Sequence, residues 1–103
     1  MNIIYIAGPY RADTEWQLIE NIRAAEAAAI KLWAGGWAVI CPHKNTAHFG
    51  GVWDIPDDTW LEGDLEILNR CDAIYMLKGW TKSEGSKMEH LLAVNKGMKI
   101  IYE

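Results

Sequence analysis

Four short apolar runs, each separated from the next by a segment of helical character, constrain this chain more than any other feature. They are "NIIYIA" (2–7), "WAVICP" (37–42), "AIYML" (73–77) and "MKIIY" (98–102). A strand with one wet face alternates apolar and polar residues. These runs do not, so both of their faces must be covered. Between the first two, Thr14 to Ala34 is Ala-rich and sets Trp16, Ile19, Ile22, Ala25, Ala29, Leu32 and Trp33 near helical spacing. Thr14 or Asp13 can cap its start, and Gly35-Gly36 stop it. A second helix runs from Pro56, well placed in a first turn, to about Arg70. A third covers 84–96, and "HKNTAHFGGVWDI" (43–55), without a period, reads as a long loop.

Strands alternating with helices, joined by right-handed crossovers, predict an α/β fold. It is a doubly wound, flavodoxin-like (Rossmann-like) parallel sheet of about four strands, order 2-1-3-4, with helices on both faces. Ligands of such sheets bind beyond the carboxyl ends of the strands, where the order reverses. Three loops meet there: "GPYRAD", "PHKNTAHFGG" and "KGWTKSEGS".

The totals narrow the function. A chain of 103 residues fits one domain, and six Trp with four Tyr oppose disorder. A net charge of −4 argues against binding a nucleic-acid polymer, which needs a basic face, yet leaves room for one small phosphate. No apolar run approaches the ~20 residues of a membrane span, and "MNIIYIAGPY" lacks the basic start of a signal peptide. Cys41 and Cys71 lie inside apolar segments and read as reduced thiols of a cytoplasmic protein. His43 and His48, five residues apart in a loop, are poorly spaced for a metal. No metal and no cofactor are expected, and His43 is expected to line the pocket.

The second helix holds an acid out of place. Trp60, Leu61, Leu65, Ile67, Leu68 and Cys71 form an apolar arc, and Asp64 falls within it. An ionised carboxylate on a core-facing stripe costs several kcal/mol unless it is paired or hydrogen-bonded. Two readings stay open: an Asp bonded to loop amides or reaching water, or an acid with a raised pKa held for proton transfer. On the third helix Gly85, Ser86, Glu89 and Ala93 share a stripe whose small residues leave space for a ligand, and Ser83 can cap the helix over an anion. Tyr5, within the first strand, needs a polar partner if buried and none if it reaches water. Arg11 can pair with phosphate or stand exposed.

Together, "IYIAGPYR", "WLEGDLEILNRCDAIYML" and "SEGSKMEHLLAVNKG" resemble the nucleoside 2-deoxyribosyltransferase-like superfamily across nearly the whole chain. The chain looks most like the short, often phage-encoded relatives in that superfamily, which also includes the 2'-deoxynucleoside 5'-monophosphate N-glycosidases. The resemblance implies that Glu89 is the nucleophile, that Asp64 protonates or steers the departing base, and that Tyr5 orients Glu89. Gly8, Arg11, His43, Ser83, Gly85 and Ser86 would bind the substrate. Ser83, in place of a transferase acid, and Arg11 favour a 5'-phosphate and hence a nucleotide N-glycosidase. A transferase and a non-catalytic nucleotide-binding module are the alternatives. Lys87 departs from the family's usual small residue. The resemblance also implies a homodimer or larger homo-oligomer, with the Trp-rich segment around Trp53 and Trp60 either at that interface or in the core.

Overall fold

The computed structural model describes residues 1–103. Its strands are β1 (Ile3–Ala7), β2 (Ala38–Ile40), β3 (Ala73–Met76) and β4 (Lys99–Tyr102), all parallel in the order β2-β1-β3-β4. Its helices are α1 (Glu15–Ala34), α2 (Pro42–Asn45), α3 (Asp58–Asn69) and α4 (Glu84–Lys96). The predicted architecture and strand order are those observed.

β1 lies between two neighbours, with Tyr5 opposite Ile40 of β2 and Ile74 of β3. Its side chains alternate between faces, as the pleat dictates. Ile4 and Ile6 pack with Val39, Ala73 and Leu77 against Ala25, Ala28 and Ala29 of α1. Tyr5 and Ala7 pack with Ile74, Met76, Leu68 of α3 and Ala93 of α4. Every residue of β1 after Ile3 is buried, which is why that run shows no polar alternation. It also forces the Tyr5 hydroxyl to find a partner on the α3/α4 face.

Three local details differ from the sequence reading. The 43–55 loop is partly structured: Pro42 opens the short α2, and a 3₁₀ turn covers Val52–Asp54. Pro56 precedes α3 rather than sitting in its first turn. The extended Ile55 ahead of it obeys the restriction on a pre-proline residue, and the helix begins at Asp58. On α1, Trp16 and Trp33 are exposed although they continue the apolar stripe. A 20-residue helix is about 30 Å long, whereas a five-residue strand spans about 17 Å. The sheet covers only the middle of α1.

Two glycines shape the carboxyl edge. A Cβ on Gly8 would lie 2.6 Å from Leu77 Cβ, so only glycine lets the chain leaving β1 pass this close to the end of β3. Gly79 takes φ 85° and turns the chain from β3 toward α4. Gly8→Ala should therefore destabilise the protein by about 1–3 kcal/mol. Adding Leu77→Gly, which removes the Cβ that the new methyl group would meet, should cost less on the Gly8→Ala background than in the wild type, as read by chemical denaturation. A fully additive double variant would show that the two positions do not crowd each other.

Candidate active site

α3 and α4 both begin at the carboxyl edge of the sheet and run back along the same face. Their first turns touch, since a Cβ on Gly85 would sit 3.7 Å from Leu61 Cδ1. Ser83 caps α4, its Oγ accepting the Ser86 amide at 3.2 Å. One turn deeper, Glu89 enters the core at 8 % exposure, and the fully buried Tyr5 hydroxyl donates to its Oε2. This contact joins residues 84 positions apart and is the polar partner that Tyr5 requires.

The electrostatics follow from burial. Removal from water raises the Glu89 pKa to about 7; the Tyr5 hydrogen bond opposes the rise and the nearby Asp64 charge adds to it. Asp64 is half-buried, and desolvation alone lifts it to about 6, so no loop amide stabilises its charge. The Tyr5 hydroxyl is pushed up by burial and by both carboxylates, which keeps it a donor. The Tyr5 hydrogen bond favours the Glu89 carboxylate, while deeper burial and the Asp64 charge hold Glu89 above Asp64.

The other sequence-predicted residues surround this pair unevenly. His43 is buried in α2 beside the loop after β1, donating Nε2–H to the Pro9 carbonyl at 2.9 Å. That bond leaves Nδ1 as a bare, unpartnered acceptor in the neutral ring, and burial holds the His43 pKa below its usual value. Ser86 is fully buried, and its Oγ has no partner. Gly8 shapes the edge sterically, while Gly85 faces Leu61 at ordinary contact distance. Arg11 is exposed and already paired with Asp57, just ahead of α3, at 3.2 Å. Such surface pairs are worth about 0–1 kcal/mol, so an incoming phosphate can exchange for the Asp57 carboxylate at small cost.

Neither Asp57 as the Arg11 partner nor the unpartnered, buried indole Nε1 of Trp60 is evident from the sequence pattern. Trp60 lies four residues before Asp64 and so shares its side of α3, a spacing visible in the sequence but masked by the apolar character of the ring. No group of three or more His, Cys, Asp or Glu is arranged to hold a metal ion. No helix is long and apolar enough to cross a membrane.

Nine chains of known structure resemble this fold. Among them is a "2-desoxiribosyltransferase from Leishmania mexicana", with a TM-score of 0.69 and 16 % sequence identity. The match covers 99 % of this chain and 63 % of that one, so this chain spans less than two thirds of that enzyme's length. The fold is therefore nucleoside 2-deoxyribosyltransferase-like. The chain belongs to the family described as a domain of unknown function, DUF4406, whose family model matches residues 2–102. No curated protein matches the sequence.

A raised carboxyl pKa means that the folded state holds the proton more tightly than the unfolded chain. For Glu89 that stabilisation is complete below about 4.5 and is lost as the pH rises through about 7. Glu89→Gln should thus raise stability by about 2–3 kcal/mol at pH 8 and change it little at pH 4. Thermal unfolding at the two pH values checks this, and an equal effect at both would place Glu89 in a solvated environment.

Proposed function

We propose that this chain is an N-glycosidase that cleaves the base–sugar bond of a nucleoside or deoxynucleoside 5'-monophosphate. The observation that carries the reading is the buried Glu89 carboxylate, bonded to the Tyr5 hydroxyl with Asp64 close enough to perturb it. A carboxylate held in a dry site by one strong donor is oriented for attack, and a second carboxyl with a raised pKa is a proton source near neutral pH.

The chemistry proceeds by double displacement. A Glu89 carboxylate oxygen attacks C1' of the sugar, and the C1'–N bond breaks with its electron pair leaving on the base. Asp64 supplies the proton that the departing nitrogen takes. The resulting glycosyl ester is then attacked at C1' by water. Asp64, now a carboxylate, accepts the water's proton, and Glu89 leaves as a carboxylate. Tyr5 stabilises the Glu89 charge before attack and again on release. Ser83 and Arg11 lie at the sheet edge where a 5'-phosphate would be held, on the capped start of α4 and by exchange of the Asp57 pair.

A second reading, transfer of the sugar to another base, is favoured by the likeness in fold to a deoxyribosyltransferase. It differs only in whether water or a base opens the ester. In either reading the chain acts as a single cytoplasmic domain. The exposed Met88, Leu91 and Val94 of α4 support self-association into a homo-oligomer.

The test is chromatography of free base after incubation with a panel of nucleosides and 5'-monophosphates, with and without a second free base. Monophosphates should release base, and Glu89→Ala should lower the rate at least about 1,000-fold. Arg11→Ala should weaken monophosphates about 10-fold and nucleosides much less. Exchange of bases without net release would favour the transferase. If no substrate loses its base, the enzyme reading fails and a nucleotide-binding module remains.

A further inference from the structure

Buried polar atoms without partners are rare, because each gives up its hydrogen bonds to water and gains none in return. This molecule has three: His43 Nδ1, Trp60 Nε1 and Ser86 Oγ. Two of them are spaced regularly from the acid pair. Ser86 precedes Glu89 by three residues on α4, and Trp60 precedes Asp64 by four on α3, so each shares a face with its acid. Because both helices start at the carboxyl edge, Ser86 and Trp60 stand one turn nearer the mouth than the carboxylates. The Leu61–Gly85 contact brings their two turns together. Two unused donors, an indole N–H and a hydroxyl, thus lie one turn closer to the carboxyl edge of the sheet than the two acids.

We infer that Trp60 is a base-reading residue, its indole N–H donating to an acceptor, a carbonyl oxygen or an unprotonated ring nitrogen, on the leaving nucleobase. This rests on the N-glycosidase reading above, which orients the substrate. With Glu89 attacking C1' and Asp64 protonating the departing nitrogen, the base must lie on the α3 side and the sugar on the α4 side. Trp60 is the donor on the base side, and Ser86 the one on the sugar side. Phe49 meets the Trp60 ring edge-on, with centroids 5.9 Å apart and planes at 67°, and so makes a second aromatic wall. Neither donor reaches solvent in the ligand-free molecule. Entry of a base therefore requires local movement around Trp60, and the segment ahead of it carries three non-glycine residues with positive φ, namely His48, Trp53 and Asp54.

The experiment compares Glu89→Gln with the Glu89→Gln, Trp60→Phe double variant, neither able to turn substrate over. The phenyl ring keeps an aromatic wall and removes the N–H. Binding of nucleoside 5'-monophosphates and of 2-deoxyribose 5-phosphate is measured by calorimetry. The Trp60 change should weaken the nucleotides about 10-fold and leave the base-free sugar phosphate unchanged. Equal nucleotide affinity in the two proteins overturns the inference, as does an equal loss for the sugar phosphate. A second measurement does not depend on the folding of Trp60→Phe. Among the six Trp indole N–H resonances of ¹⁵N-labelled Glu89→Gln, one should move downfield with nucleotide and stay in place with sugar phosphate. If none moves, the inference fails. Base release by the wild-type protein decides the catalytic reading separately, so active wild-type enzyme with an indifferent Trp60 would sink this inference alone.

Discussion

The hydrogen bond from the Tyr5 hydroxyl to Glu89 is the constraint on which the rest of the arrangement depends. It exists because β1 is buried on both faces. A hydroxyl in the middle of such a strand cannot reach water and must be satisfied by a helix packed over it. The partner is a carboxylate that burial would otherwise drive toward its neutral form. Each group thus answers a cost created by the other, and together they fix the rotation of α4 against the sheet. Fixing α4 also fixes where Ser86 and the capping Ser83 stand, nearer the carboxyl edge of the sheet.

α3 completes the setting. Its inner face holds Leu68 in the core and Asp64 half-buried beside the Tyr5–Glu89 pair. Burial raises both carboxyls toward the neutral range, and the Asp64 charge adds to the rise of Glu89. A fold indifferent to chemistry would gain by replacing either acid with an apolar residue of similar volume. Keeping both, with no loop amide to relieve Asp64, carries a cost that packing does not offset.

Much of this was legible in the sequence, for identifiable reasons. Uniformly apolar runs betrayed doubly covered strands, and the alternation with helices then left one sensible strand order. Asp64 stood out because it broke an apolar arc, and Tyr5 because its hydroxyl lay inside a buried run. Other features were hidden for equally physical reasons. Trp60 looked like one more apolar residue, since periodicity registers the ring and says nothing of an N–H left without a partner. The exposure of Trp16 and Trp33 depends on how far short strands reach along a long helix, which no single segment reveals. The Arg11–Asp57 pair joins residues 46 positions apart and forms only once the start of α3 is brought to the end of β1.

If the central idea is right, the sugar must pass through a bond to the protein. Acid-quenching the enzyme during turnover of a nucleoside monophosphate, then mapping its peptides by mass spectrometry, looks for that bond directly. A sugar-phosphate ester on the peptide carrying Glu89, and on no other, is the result this account requires. Base released at full rate with no adduct, or with the adduct on a different side chain, would show that Glu89 is not the nucleophile.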